Sequence, residues 1–357
     1  MSAAWSFPTV PLSEVRTVSS AFEKFLEQQI NIASGTRSVA SVSQNHLRDF
    51  IAEENRRDSS FPRLLSIADR DFLGGSFSRH TKIWPLDDID IYLPLDGKNL
   101  FYTQGGFKLP YTVISDNSFF YNPLLGSRWM VNGYVSSDRL LSEFALVLRR
   151  HYPAETKITT DGPAIAVRMT HGESANADGL GYDIIPCFLL RPDDTQDFDF
   201  YLMPDGKNGW MRTNPRLDIY MADELQPFHG GLYRKIVKLV KYLNQNQLSN
   251  IFSSYYIELA VGLRFWALKN TNTPIHSISV GVLVAFEALR EAGIAGDITP
   301  LVKGAPPVKA PPRHEAAHQL LNTVQTLMQN AVTQETSGQI AHAIATWSIL
   351  FGDSFPS

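Results

Sequence analysis

Apolar side chains recur at three- and four-residue intervals near the start of the chain, at Val15, Val18, Phe22, Phe25, Leu26 and Ile30. That spacing lines one face of a helix and predicts one over 11–32, with Pro11 suited to a helix start. A second helix is expected over 43–57. The period then drops to two. In Asp88-Ile-Asp-Ile-Tyr-Leu93, residues Ile89, Ile91 and Leu93 face one way, and Asp88, Asp90 and Tyr92 the other. Further strands are predicted over 164–169, 182–190 and 198–203. Asp178-Gly179 and Asp205-Gly206 serve as turn signals around them. A helix over 138–151 interrupts the strands, and 96–135, rich in aromatic, Gly and Asn residues, predicts an irregular insertion. Beyond residue 214 the period is helical, with candidates over 214–225, 231–244, 254–269, 277–292, 313–331 and 337–351.

This order predicts an α+β fold of two lobes, 1–213 and 214–357, with the N-terminal helix bridging both. The Pro-rich stretch 304–312 reads as a semi-rigid surface connection. A length of 357 residues agrees with two lobes, and 44% hydrophobic against 19% charged residues supplies a sizeable core. Lys and Arg number 32 against 36 Asp and Glu, a net charge of -4, which excludes a general nucleic-acid coat protein. Cys187 is the single cysteine, so a disulfide framework and a cysteine-built zinc module are excluded. No run approaches 18 apolar residues, and the N-terminus lacks a signal-peptide pattern. The expectation is a cytoplasmic monomer without membrane attachment.

The chemistry concentrates in Leu73-Gly-Gly-Ser-Phe-Ser-Arg-His-Thr81 and the Asp-x-Asp strand after it. Adjacent glycines let the backbone approach an anion, and Ser76 adds a hydroxyl donor, the parts of a phosphate cradle. Arg79 and Thr81 are expected to support that cradle. Asp88 and Asp90 repel each other unless a cation sits between them, so a divalent metal is their natural partner. Asp183 stands on an otherwise apolar strand, where a charge is costly unless it is paired or ligates metal. Three carboxylates beside a phosphate cradle are the parts of two-metal nucleotidyl transfer. Lys235, Lys238 and Lys241 recur at three-residue spacing on one predicted helix. Asp87, on the opposite strand face from Asp88, is expected to help local geometry only. Trp210-Met-Arg-Thr-Asn-Pro215 reads equally as an acceptor contact or as a hinge and helix start.

In these motifs the chain resembles the polymerase-β-like nucleotidyltransferases and, within them, the cGAS/DncV-like (CD-NTase) group, over nearly its whole length. The resemblance implies a nucleotidyltransferase lobe joined to a helical-bundle lobe. It implies Gly75-Ser76 as the family's Gly-Ser motif, Asp88, Asp90 and Asp183 as catalytic and metal-binding acids, and two Mg2+ ions, with Mn2+ as a substitute. It places Lys241 on the donor triphosphate with Lys238 one turn earlier, Ser254 on phosphate and Tyr255 against the base. Trp347 to Pro356 resembles the structural terminal helix and tail of bacterial members. The implied activity joins NTPs, ATP and GTP foremost, into a cyclic di- or oligonucleotide second messenger of bacterial anti-phage (CBASS) defence. The product would act on a downstream cyclic-nucleotide-responsive effector. Without a cysteine-based zinc insertion or a basic N-terminal tail, activation by double-stranded DNA is not expected.

Three alternatives compete. Template-independent linear synthesis or RNA tailing would use the same site. A binding scaffold without turnover is disfavoured by acids at all three positions. His314-Glu-Ala-Ala-His318 is a literal H-E-x-x-H, the zinc hydrolase signature. Pro311 and Pro312 place His314 in the first helical turn, and the best third ligand on offer is Glu335.

Overall fold

The computed structural model describes residues 16–32, 34–65, 72–84, 86, 88–104, 111–115, 122–152, 154, 156–168, 180–190, 200–302, 304–312 and 315–356. The elements begin with α1 (Val18–Phe25), which runs into a π-helical turn (Leu26–Ile30), and α2 (Ser34–Arg57). Then come β1 (Phe72–Leu73), α3 (Gly75–Ser78), β2 (Ile89–Pro94), β3 (Leu100–Gln104), β4 (Tyr111–Ser115), β5 (Met130–Val131), β6 (Tyr134–Val135) and α4 (Ser137–His151). The strands close with β7 (Lys157–Asp161), β8 (Ala164–Arg168), β9 (Gly181–Leu190), β10 (Phe200–Pro204) and β11 (Trp210–Thr213). Helices follow: α5 (Pro215–Phe228), α6 (Tyr233–Asn246), α7 (Ser254–Asn270), α8 (Ile278–Ala295), α9 (Glu315–Thr336) and α10 (Ile340–Phe351).

Contacts divide the chain into two compact units. One is Ile32–Asp223 with Thr299–Val308; the other is Met1–Asn31, Glu224–Ile298 and Lys309–Ser357. The division therefore falls ten residues later than the expected 213, and the segment carrying α1 goes with the helices.

The first unit is built on a sheet ordered β1-β2-β9-β10-β11-β4-β3, with β8 on β9 and β7 on β8. β2 and β9 run parallel, with Ile89 opposite Tyr182 and Asp90 opposite Asp183; β8 and β10 are antiparallel to β9. β9 is interior, which explains its nearly unbroken apolar run. Pro186 within it looks out of place until the pairing is followed. β8 leaves β9 at Ile184 and β10 joins at Phe188, so Ile185, Pro186 and Cys187 between them have no ladder partner on that edge. Cys187 points its carbonyl to Leu95 on the β2 side, so the position where Pro186 lacks an N–H faces this gap.

One sheet face, with Ile89, Ile91, Ile165, Tyr182 and Ile184, packs into the core that includes Leu140, Phe144 and Leu148 of α4. Ser136 caps that helix by accepting from the Arg139 N–H at 3.1 Å. The other face carries Asp90 and Asp183 above a smaller cluster of Tyr92, Ala164, Ile185, Cys187 and Tyr201. Cys187 is buried and unbridged.

The stretch 96–135 departs from expectation. It holds two hairpins, β3–β4 and β5–β6, and a 3₁₀ turn at Pro123–Leu125. Trp210 and Arg212 also lie in a strand, hydrogen-bonded to β10, and not in a hinge. Helix α2 is longer than predicted, starting at Ser34, while the predicted start at Pro11 and the Asp178-Gly179 turn lie outside the described residues.

In the helical unit α6 turns Ile236, Val237, Leu239, Val240 and Leu243 inward. Phe22 meets Trp347, Phe351 and Phe355 edge-on at ring-centroid distances of 5.0, 5.6 and 5.1 Å. The terminal helix and tail are thus core of this unit, as expected of them. Among the described residues no helix is long and apolar enough to cross a membrane.

Candidate active site

Pairing of β1 with β2 brings the Gly-Gly-Ser turn onto the acidic strand: the Gly74 N–H donates to the Asp90 carbonyl at 2.9 Å. Two features make the glycines obligatory. A Cβ on Gly74 would lie 2.3 Å from the Tyr92 ring, and one on Gly75, where φ is +61, would lie 1.6 Å from Asp90 Oδ2. Ser76 is buried, and its carbonyl accepts from the Thr81 and Lys82 N–H groups at 2.9 and 3.0 Å. Thr81 therefore supports the turn. Arg79, also buried, reaches Asp218 at 3.9 Å.

Asp90 and Asp183 are register partners on the parallel pair β2–β9, so their side chains leave the same face of adjacent strands. Asp88 lies two positions before Asp90, near enough that its charge acts on Asp183. Burial raises the Asp183 carboxyl above the ordinary value; Arg168 opposes this, and the charges of Asp88 and Asp161 add to it. The acids face basic partners. Lys82 Nζ pairs with Asp88 Oδ1, and Arg168 Nη2 with Asp183 Oδ1 at 2.7 Å. Arg168 is anchored in turn by donating from Nη1 to the Tyr182 carbonyl at 3.0 Å. Among the described residues no three His, Cys, Asp or Glu side chains are gathered tightly enough to hold a metal. The strand register places Asp90 and Asp183 side by side, while Asp88 pairs with Lys82 and Asp183 with Arg168. As a donor set, three carboxylates fit a hard divalent cation such as Mg2+ or Mn2+ and not zinc or copper. Asp87 lies outside the described residues.

The helical unit holds the other expected residues. Lys235 pairs with Glu23 at 2.6 Å, and Lys238 donates to Asn31 Oδ1 at 2.7 Å at the end of the π-helical turn. Lys241 is 3% exposed and pairs with Glu258, itself 5% exposed, on α7. Ser253 caps α7 through the Tyr256 N–H. Ser254 is the exposed first residue of the helix, one turn before Glu258, and Tyr255 is half-buried. Tyr256, not Tyr255, is the buried ring, its hydroxyl donating to the Gly296 carbonyl at 2.7 Å.

Sequence reasoning missed Lys82, Arg168 and Glu258. Glu258 was detectable as a lone acid in the apolar run Ile257 to Leu263. Lys82 and Arg168 carried no such signal.

The zinc alternative finds no site among the described residues. His314 lies outside them. Glu335 follows His318 by 17 positions on the same helix, about 25 Å along its axis, and accepts from the Ser279 hydroxyl. Trp210 is likewise not poised for a ligand: it is fully buried and donates to the Val135 carbonyl at 3.0 Å.

A mixed sheet with carboxylates on its central strands and a Gly-Ser turn seated on one of them, together with a helical unit, has the polymerase-β-like nucleotidyltransferase fold. No family model matches the chain. A probable cyclic nucleotide synthase of Bacillus cereus (strain VD146) is 26% identical over 356 residues, covering 96% of this chain and 99% of that protein. Among solved structures, Escherichia coli MS115-1 CdnC with ATP superposes with a TM-score of 0.61 at 16% identity, covering 95% of this chain and 99% of the other. CdnC in complex with HORMA-deltaN superposes with a TM-score of 0.60 at 16% identity, covering 95% and 98%. The chain is thus similar over nearly its whole length to a probable cyclic nucleotide synthase and shares the fold of CdnC.

Proposed function

We propose that the protein joins nucleoside triphosphates into a cyclic di- or oligonucleotide and releases pyrophosphate, as a second messenger in anti-phage signalling. The observation that carries this reading is the pairing of Asp90 with Asp183 on adjacent parallel strands, with the Gly75 turn against Asp90. The similarity to a relative described as a probable cyclic nucleotide synthase supports the cyclic product, and a structural neighbour solved with ATP supports a nucleotide substrate.

In this proposal Asp88, Asp90 and Asp183 hold two Mg2+ ions, which supply charge neutralisation on the triphosphate and on the attacking oxygen. Gly75 and Ser76 of the sheet unit are assigned to the triphosphate, Lys238, Lys241 and Ser254 of the helical unit likewise to phosphate, and the Tyr255 ring to the base. Asp183 orients the acceptor 2′- or 3′-hydroxyl. The hydroxyl gives its proton to Asp183 as its oxygen bonds to the α-phosphorus and the bond to the β-phosphate oxygen breaks, and pyrophosphate leaves. A second transfer within the linear product closes the ring.

The test is incubation with the four labelled NTPs and Mg2+ or Mn2+, followed by phosphatase, chromatography and mass spectrometry. A phosphatase-resistant product is expected; a ladder would indicate linear extension or tailing instead. Joint Asp88→Ala and Asp90→Ala substitution should reduce NTP consumption at least about 10³-fold, and wild-type turnover in that variant would overturn the reading.

A further inference from the structure

We infer that Lys82 and Arg168 are built-in counter-ions that compete with divalent cation for the carboxylates of Asp88 and Asp183. This rests on the reading of those acids as metal ligands. Each outer acid is engaged by one basic side chain, and each base is fixed from elsewhere. Lys82 follows the Gly-Ser turn, with its backbone N–H on the Ser76 carbonyl and only 12% of its side chain exposed. Arg168 comes from β8 and is tied to the Tyr182 carbonyl beside Asp183.

The physical need is plain. The charge of Asp88 acts on Asp183, which is partly withdrawn from water. Without a metal, such a set must be protonated or paired. An ammonium and a guanidinium supplied by the same chain neutralise the acids and preserve the strand ends. Entry of a divalent cation then requires each carboxylate to give up its base, which lowers the apparent metal affinity of the nucleotide-free protein.

The experiment titrates the full-length protein, free of nucleotide, with Mn2+ at fixed ionic strength and reads free Mn2+ by electron paramagnetic resonance. Lys82→Gln should bind Mn2+ about three- to ten-fold more tightly than wild type, because one competing positive charge is gone. Lys82→Arg, which keeps the charge, should match wild type. Arg168→Gln provides a second, independent case with the same expected direction should Lys82→Gln fail to fold. Equal or weaker Mn2+ binding in a folded charge-removing variant would overturn the inference. Asp88→Asn separates it from the underlying reading. If Asp88→Asn does not weaken Mn2+ binding by wild type, the metal assignment itself fails. If it does, and Lys82→Gln binds no tighter, only the competition is lost.

Discussion

Gly75 shows how tightly the site depends on a single missing carbon. Its positive φ strains any other residue by about 1–2 kcal/mol. Gly133 shares that handicap at φ +82 but has open space where a Cβ would go. At Gly75 the same carbon would collide with Asp90 Oδ2. Gly133→Ala is therefore expected to cost about 1 kcal/mol and keep activity. Gly75→Ala should cost more and remove nucleotidyl transfer, because the carboxylate must move. Denaturant melts and NTP turnover on both variants check this, and an active Gly75→Ala would count against the placement of Asp90. At this scale much was legible in advance. Asp183 stood out as one acid in the apolar run of β9, and Gly-Gly-Ser as a turn. What Asp88 and Asp183 pair with was not legible, since Lys82 and Arg168 are ordinary surface-type residues until the sheet brings them into reach.

The joint between α6 and α7 rests on Lys241 and Glu258, buried charges that satisfy each other. Removing one partner of such a pair leaves an uncompensated charge and costs about 3–5 kcal/mol. Glu258→Ala is accordingly expected to lower the stability of the helical unit by about 3 kcal/mol in urea unfolding. Lys241→Met with Glu258→Leu should be less damaging than either single change, despite losing the lysine proposed to bind phosphate. A double variant as unstable as the sum of the singles would show that the two residues act separately. Elements with a strong local period, such as β2, α4 and α6, were readable because one buried face imposes the pattern. The β3–β4 hairpin and β11 were not readable. Their order comes from partners distant in sequence, such as Tyr111 opposite Trp210, which no local period records.

At the scale of the molecule, one buried group in each unit contributes a pH dependence of opposite sign. The helical unit is assembled from three separated stretches of chain, a closure that no composition shift near residue 213 announces. Inside it His229 is fully buried between two backbone groups. Its Nδ1 accepts from the Ile275 N–H at 3.1 Å, so Nε2 carries the proton toward the Phe265 carbonyl, 3.3 Å away. A second proton has no place on Nδ1, and burial lowers the His229 pKa below the ordinary 6.5. Above 6.5 both folded and unfolded states are neutral and nothing is lost. As pH falls through 6.5 the unfolded chain takes up a proton that the folded unit refuses, so stability declines until the lowered folded pKa is reached. Asp183 in the other unit has the reverse sign. Its raised pKa means the folded state holds a proton more readily than the unfolded, so acidification from neutral pH stabilises it. Thermal unfolding of wild type from pH 8 to pH 5 should show the transition of the helical unit moving down, relative to a His229→Gln variant that retains a donor to Phe265 but does not titrate. The difference between wild type and Asp183→Asn in the transition of the sheet unit should run the opposite way, favouring wild type as pH falls. Parallel pH profiles for wild type and His229→Gln would mean that the buried imidazole accepts its second proton, which the Ile275 hydrogen bond forbids.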